Sequence, residues 1–274
     1  MAFKEKLLTA QRVNGSWLCV GLDPVMGRLP QTVRSASSPM LAFGRAIVES
    51  TADLVSAYKP NLGFWLAEGA VGIEALQQLI DEIPDHLPVI LDAKFNDVGH
   101  TAQAYAQAAF ETFGVDAVTL NPYLGLDTLR PFLDTEEHGV FLLARTSNPS
   151  APNLQDLKAD GQPLYQKVAQ LAAEWDVELP GSCGLVVGAT YPRELGIVRE
   201  IAPDLPYLIP GIGAQGGDLE QAVVHGPAAD GVGPVINSSR GIIYASSESD
   251  FAEAARQAAL EMKERVNRQR EGLG

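Results

Sequence analysis

The chain has 274 residues, of which 46% are hydrophobic, so it can bury the core of one large α/β domain. Its 34 acidic and 20 basic residues give a net charge of -14, which argues against nucleic acid or a membrane surface as a partner. Charges at Lys4, Glu5 and Lys6 exclude the apolar core of a signal peptide, no segment is long enough to span a membrane, and we expect a cytoplasmic protein.

Eight short apolar segments alternate along the chain with longer stretches of helical periodicity. The segments are residues 16–23, 55–63, 88–94, 117–121, 139–145, 184–190, 205–213 and 233–239. Their apolar runs are continuous, which is typical of parallel strands covered on both faces by helices. They predict an α/β fold, a (β/α)8 TIM barrel that forms a single domain over residues 1–274, with a doubly wound sheet as the alternative.

Two further features follow from the pattern. Residues 146–163 form a connection longer than the roughly 12 to 15 residues usual for structureless loops, which favours a lid or binding loop over a solvated insertion. Cys19 and Cys183 stand inside apolar strand segments, so we interpret both as small buried hydrophobic residues.

Polar side chains stand at the carboxyl ends of several predicted strands, the end at which barrel enzymes build their active sites. They are Asp23, Lys59, Asp92, Lys94, Asn121, Arg145 and Arg240. One such residue alone would fit a helix cap or a surface ion pair. Their shared position on different strands predicts an active site.

The third predicted strand ends in a D-x-K-x-x-D pattern. Asp92 and Lys94 are two residues apart and should project to the same face, whereas Asp97 lies beyond the strand end. Nearby carboxylates favour the charged form of a lysine even when it is partly desolvated. The pattern therefore predicts a proton donor rather than a nucleophilic amine.

A glycine-rich segment, "PGIGAQGGD", follows the seventh predicted strand and matches G-x-G-x-x-G through Gly211, Gly213 and Gly216. A dinucleotide site is disfavoured because that fingerprint normally follows the first strand of its βαβ unit. Backbone N–H groups of such a loop suit a phosphate, and barrels of this kind commonly bind phosphate after strands 7 and 8.

Residues on both sides of this segment support an anion site. Asp218 and Gln221 have the spacing of a capping box at the start of the next helix. The eighth strand ends in "INSSRG", which offers Ser238, Ser239 and Arg240 to the same anion.

The four histidines are scattered and no Cys/His ligand spacing occurs, so the sequence predicts no metal.

The motifs "GLDP", "YKPN", "LDAKFNDVGHTA", "NPYLG", "RTSNP", "PGIGAQGGD" and "NSSRGIIYAS" occur in this order between residues 16 and 246. Together they resemble the orotidine 5'-phosphate decarboxylase family, in its longer bacterial subfamily (type 2). The resemblance implies a homodimeric barrel that converts orotidine 5'-monophosphate to uridine 5'-monophosphate and carbon dioxide, the last step of de novo pyrimidine biosynthesis. It also implies that neither a metal nor an organic cofactor is used.

The resemblance implies catalytic roles for residues of the D-x-K-x-x-D pattern and its surroundings. Lys94 would protonate carbon 6 of the pyrimidine, and Asp92 would lie beside the departing carboxylate. Lys59 would bind a ribose hydroxyl and join the charge network. Asp97 would reach into the site of the neighbouring subunit.

The remaining residues would bind substrate. Asp23 would hold the ribose, and Thr101 would touch the ribose bound to the neighbouring subunit. Gln215 would bridge phosphate and base, Asn121 would read the pyrimidine edge, and Arg240 would bind phosphate. Gly213, Gly216 and Ser239 belong to the same predicted phosphate site.

Two other functions remain open at this stage. A magnesium-dependent sugar-phosphate decarboxylase or synthase of the same superfamily shares D-x-K-x-x-D, but Lys59 stands where an acid would help to hold the metal. A non-catalytic protein that binds a phosphate ligand would keep the glycine-rich loop and Arg240, but it would not need Asp92, Lys94 and Asp97 together.

Overall fold

The computed structural model describes residues 1–212 and 217–272. Within these ranges eight parallel strands form one sheet: β1 Leu18–Leu22, β2 Ala57–Pro60, β3 Ile90–Phe95, β4 Ala117–Leu120, β5 Gly139–Arg145, β6 Ser182–Val187, β7 Tyr207–Pro210 and β8 Val235–Ser238. The strands are ordered β2-β1-β8-β7-β6-β5-β4-β3. Single bridges from Tyr58 to Val89 and from Asn61 to Asp92 join β2 to β3 and nearly close the barrel. The predicted TIM barrel is confirmed, and an open doubly wound sheet is excluded because the outer strands meet.

The longer α-helices of the described ranges surround this sheet. They are α1 Phe3–Val13, α2 Pro39–Thr51, α3 Ala70–Asp81, α4 Gly99–Gln107, α5 Leu164–Glu178, α6 Pro192–Ile201, α7 Leu219–His225 and α8 Phe251–Glu271. Short helical turns span Gln31–Arg34, Leu62–Leu66, Pro152–Gln155 and Arg240–Ile243, a π-helical turn at Ala108–Thr112 extends α4, and a 3-10 turn spans Met26–Arg28. None of the helices in the described ranges is long and apolar enough to cross a membrane.

The connection from β4 to β5 departs from the predicted alternation. It contains three 3-10 turns, Pro122–Leu124, Leu126–Thr128 and Arg130–Phe132, in place of an α-helix. Pro122 and Pro131 lack the backbone N–H that a helix interior needs, and Gly125 takes a φ of 87° that ends the first turn.

The barrel interior is filled by side chains. Each strand contributes one buried residue to a common cluster: Cys19, Ala57, Ile90, Ala117, Phe141, Val186, Leu208 and Val235. Phe3 and Leu7 of α1 pack against this cluster. Because the interior is solid, a substrate has access only to the mouth of the barrel, where the strands end.

Both cysteines are buried, as predicted. Burial raises the pKa of Cys19 to about 12 and also raises the pKa of Cys183. Neither thiol is therefore ionised near neutral pH, which agrees with a packing role.

Residues 146–163 have more structure than a simple loop. They contain the helical turn Pro152–Gln155 and a two-stranded antiparallel hairpin of Lys158–Ala159 with Gln162–Pro163. Leu164 at the start of α5 donates a backbone hydrogen bond to Leu157. The segment therefore folds as a compact unit between β5 and α5.

Candidate active site

Strand β3 contains a bulge at the residues of the D-x-K-x-x-D pattern. Ile90 and Leu91 pair with β4 in register, and the register resumes at Phe95 opposite Leu120. Three residues of β3, from 92 to 94, therefore lie opposite the single residue 119 of β4. Such bulges redirect side chains and are common beside active sites.

Lys94 has the left-handed backbone conformation that follows from this bulge, with a φ of 53°. This conformation costs about 1 to 2 kcal/mol for a residue other than glycine. Thr119 stabilises it, because its Oγ1 accepts a hydrogen bond from Lys94 N at 3.0 Å and donates one to Asp92 Oδ1 at 2.9 Å. The convergence of Asp92 and Lys94 is confirmed, but a bulge rather than regular strand geometry produces it.

Asp92 is the centre of the resulting network. Its Oδ2 accepts hydrogen bonds from Lys59 Nζ at 3.0 Å and Asn61 Nδ2 at 3.2 Å. Its Oδ1 accepts from Thr119 Oγ1 and from Lys94 Nζ. Both carboxylate oxygens are thus engaged twice, and the side chain is fixed at the barrel mouth.

The two lysines of this network have different environments. The side chain of Lys59 is 5% exposed, whereas that of Lys94 is 47% exposed and faces the open mouth. Burial by itself would lower the pKa of Lys59, but the carboxylates of Asp92 and Asp23 outweigh it and raise that pKa above its ordinary value. Lys59 is therefore a fixed buried cation, and Lys94 is the ammonium that a ligand can reach.

Asp92 is ionised for the same reason. Burial would raise its pKa, but Lys59 and Lys94 together hold the pKa well below the ordinary range of a carboxyl group. The site thus combines one negative charge and two positive charges within hydrogen-bond distance.

Asp23 follows β1 and joins this network to the end of β8. Its Oδ1 accepts from Asn61 N at 3.2 Å, and its Oδ2 accepts from Ser239 Oγ at 2.7 Å. Gly21 makes the approach possible, because a Cβ at this position would lie 2.6 Å from Ser239 Cβ. Any larger residue at position 21 would push the two strand ends apart.

A cavity of about 220 Å³ opens beside Asp23. Its lining includes Gly211, Asn237, Ser239 and Arg240. Arg240 is exposed at the first position of a helical turn, and within the described ranges it has no ion-pair partner. An anion in this cavity would meet an available guanidinium.

Part of the predicted phosphate site lies outside the described residues, namely Gly213, Gln215 and Gly216. The flanks of this segment are close together, since Gly217 N donates to Gly211 O at 3.1 Å.

The predicted capping box at the start of α7 is only half confirmed. Asp218 caps the helix by accepting from Gln221 N at 3.0 Å. The return bond is missing because Asp218 N donates to Ala189 O instead, and the side chain of Gln221 contacts His225.

Asp97 and Thr101 stand apart from the Asp92 network in the single chain. Asp97 Oδ1 accepts from the neighbouring Val98 N at 2.8 Å, and Thr101 is exposed on α4. Among the described residues, neither forms a side-chain hydrogen bond or ion pair with Lys94.

Two other predicted residues also lie outside the network. Asn121 caps the 3-10 turn after β4 by accepting from Tyr123 N at 3.1 Å. It lines an apolar cavity of about 380 Å³ between this turn and α5. Arg145 is buried at the end of β5 and pairs with Asp156.

Sequence reasoning did not identify two residues that the structure brings into the site, Asn61 and Thr119. Asn61 ends the "YKPN" segment, and its Oδ1 also caps the following helical turn. Thr119 is the one hydroxyl residue in the apolar run of β4, and a polar residue inside such a run indicates a candidate site residue.

Comparisons with known proteins show the family of the chain. The chain matches the family described as orotidine 5'-phosphate decarboxylase / HUMPS over residues 16–258, a range that includes the whole candidate site. It is 50% identical over 270 residues to a Thermomicrobium roseum protein named orotidine 5'-phosphate decarboxylase, covering 98% of this chain and 96% of the relative. A protein of the same name from Cupriavidus taiwanensis is 51% identical over 276 residues, covering 99% and 100%. The solved structure of OMP decarboxylase from Leishmania donovani is similar at a TM-score of 0.85 and 38% identity, covering 98% of this chain and 99% of that one.

Proposed function

The chain belongs to the orotidine 5'-phosphate decarboxylase / HUMPS family, and on that premise we propose that Lys94 protonates carbon 6 as orotidine 5'-monophosphate loses carbon dioxide. The enzyme is an orotidine 5'-phosphate decarboxylase, as are relatives about half identical to it over nearly the whole chain. The observation that carries the proton-donor role is the position of Asp92 between buried Lys59 and exposed Lys94.

The chemistry requires positive charge at one ring carbon. When the bond between carbon 6 and the carboxylate breaks, its electron pair stays on carbon 6. The Lys94 ammonium stabilises this charge by attraction and then donates its proton to form the product. The balance is one substrate and one proton giving uridine 5'-monophosphate and carbon dioxide, so no oxidant or reductant is needed.

Asp92 holds the side chain of Lys94 in place for this role. The two ammonium groups hold the pKa of Asp92 low, so the carboxylate is ionised across the neutral range. We place the substrate carboxylate next to Asp92, where departure of neutral carbon dioxide removes one of two neighbouring negative charges.

We propose that the reaction needs neither a metal nor an organic cofactor. The charge that a metal would supply is already provided by Lys94. A divalent cation beside Asp92 would also have to displace one ammonium group and would meet the charge of the other. This argument also weighs against the magnesium-dependent alternative.

Contacts to the ribose and the phosphate would supply remote binding energy. Asp23 is proposed to hold the ribose. Little of the Lys59 side chain is accessible to substrate, so we propose that Lys59 contributes to ribose binding mainly by holding Asp92 in place. Arg240 and Ser239 line the cavity proposed for the phosphate. Gly213, Gln215 and Gly216 lie outside the described residues and are proposed to bind the same phosphate. Asn121 is proposed to read the pyrimidine edge, and within the described residues its side chain forms a hydrogen bond only through Oδ1.

A homodimer with shared active sites would give Asp97 and Thr101 a role, although both lie apart from the Asp92 network of their own chain. Both lie near an exposed apolar surface, since Val98 is 54% exposed and Tyr105 is 37% exposed. We propose that a second copy of the chain covers this surface and receives Asp97 and Thr101 into its own site.

Substrate turnover separates this function from its alternatives. Purified protein in excess EDTA should release carbon dioxide from orotidine 5'-monophosphate and leave pentulose and hexulose phosphates unchanged. Decarboxylation of a sugar phosphate that depends on added magnesium would contradict the proposal. Binding of uridine 5'-monophosphate without any turnover would instead support the non-catalytic alternative.

A further inference from the structure

Arg145 is a buried cation that the reaction described above does not use. It is the last residue of β5, and only 1% of its surface is exposed. Its guanidinium lies 3.9 Å above the ring of Tyr191 and 5.5 Å from the ring of Tyr165. Such a charge is costly to bury unless it is paired, so its partner matters.

That partner comes from the segment of residues 146–163. Arg145 Nη1 lies 3.0 Å from Asp156 Oδ1, and Nη2 donates weakly to Oδ2 at 3.4 Å. In the part of the chain that the structure describes, neither Arg145 Nε nor Arg145 Nη1 has a hydrogen-bond partner, so the contact of Nη1 with Asp156 is an ion pair only. The pair is thus incompletely satisfied, and it contributes less to stability than a fully bonded buried pair would.

The residue before Asp156 continues the same connection. Gln155 Oε1 accepts from Thr146 N at 3.0 Å, and Gln155 Nε2 donates to Thr146 Oγ1 at 2.8 Å. Two adjacent residues, 155 and 156, therefore bind two adjacent residues, 145 and 146. The intervening segment is closed into a loop with its ends fixed at the barrel mouth.

This closure fixes the turn that begins at Thr146. Thr146 Oγ1 donates to Asn148 Oδ1 at 2.7 Å. Ser147 lies against Gly188, the residue that follows β6, because a Cβ on Gly188 would approach Ser147 Cβ to 3.0 Å. Gly188 N in turn donates to Arg145 O at 2.8 Å. The turn thus lies over the ends of β5 and β6, at the face where barrel enzymes bind substrate.

We propose that Arg145 and Asp156 form a latch that positions the turn of residues 146–148 for substrate binding. Arg145 acts through this turn and is a positioning residue rather than a catalytic one. The inference rests on the proposed function, because it assigns the turn to the orotidine 5'-monophosphate site. Releasing the latch should weaken binding of the substrate and leave the chemistry at Lys94 largely intact.

The test compares Asp156→Asn, which removes the charge, with Asp156→Glu, which keeps it. Asp160→Asn, in the exposed hairpin of the same segment, is the matched control. The latch predicts that Asp156→Asn raises KM about tenfold with kcat within about threefold of wild type, while the other two variants keep the wild-type KM. Hydrogen exchange of the Thr146 and Ser147 amides should accelerate in Asp156→Asn and stay unchanged in Asp160→Asn.

A double variant, Arg145→Met with Asp156→Asn, covers the case in which the single variant fails to fold. It removes the buried charge together with the latch, so it should fold and show the same rise in KM. A wild-type KM in a folded latch variant, a loss confined to kcat, or unchanged hydrogen exchange would overturn the inference. Absence of turnover in the wild type would instead contradict the proposed function, and the exchange measurement would still test the latch.

Discussion

Lys59 Nζ lies 3.0 Å from Asp92 Oδ2, and the two side chains are 5% and 12% exposed. Breaking a buried pair of this kind by removing one partner leaves the other charge uncompensated. The pair therefore restrains Asp92, and through Asp92 it restrains the ammonium of Lys94.

Replacing Lys59 with methionine should destabilise the protein and reduce turnover. Methionine has a similar length but no charge, so the negative charge of Asp92 would be balanced by Lys94 alone. We expect a loss of about 3 kcal/mol in the free energy of unfolding, measured by urea denaturation at pH 7. A Lys59→Met variant as stable as the wild type would show that the buried pair does not restrain the site.

The difference in the free energy of unfolding between wild type and Lys59→Met should depend on pH in a defined way. The folded-state pKa of Asp92 is lowered, so the stability it contributes is present above its ordinary pKa of about 3.9 and is lost as the pH falls further. The folded-state pKa of Lys59 is raised, so its contribution is present below its ordinary pKa of about 10.4 and is lost as the pH rises through the folded value.

The stability difference between wild type and Lys59→Met should therefore stay constant from about pH 6 to pH 9 and shrink below about pH 4. Urea denaturation at a series of pH values measures it. A difference that grows as the solution becomes more acidic would contradict the assigned direction of the Asp92 shift.

Thr119 provides a test of the bulge. Thr119→Val keeps the shape but removes the hydroxyl that binds both Asp92 and the backbone of Lys94. We expect a stability loss of about 1 to 2 kcal/mol. We also expect kcat to fall about tenfold, because Lys94 is less well placed. Thr119→Ser retains the hydroxyl and should stay near wild type, and full activity in Thr119→Val would show that the bridge is dispensable.

Asp97 provides a test of the shared site. Lys94→Ala and Asp97→Ala subunits should each be nearly inactive alone. When they are mixed and allowed to exchange, half of the dimers are hybrids, and each hybrid has one intact site. The mixture should therefore regain about a quarter of wild-type activity. No recovery in verified heterodimers would place Asp97 in the site of its own chain.

The sequence was sufficient to predict the strands and most of the strand-end residues, because continuous apolar runs and their polar ends are local patterns. It did not predict the bulge, since the left-handed conformation of Lys94 depends on Thr119 of another strand. The pairing of Arg145 with Asp156 was not predicted either, because the sequence has no local pattern that shows how residues 146–163 fold back to the end of β5.

The predicted return bond of the capping box was wrong because Asp218 N donates instead to Ala189 O, which is distant in sequence. The α-helix expected between β4 and β5 is replaced by 3-10 turns. Pro122 and Pro131 disfavour an α-helix at this place, whereas the alternating pattern of the chain as a whole predicts one.

The most direct test of Lys94 as the proton donor is the loss of orotidine 5'-monophosphate ultraviolet absorbance in excess EDTA, measured for the wild type and for Lys94→Ala. Lys158→Ala, on the exposed hairpin, is the matched control. The wild type and the control should both turn over the substrate. Lys94→Ala should lose at least about 1,000-fold in kcat, with affinity for uridine 5'-monophosphate largely retained. Turnover by Lys94→Ala close to the wild-type rate would rule out Lys94 as the proton donor.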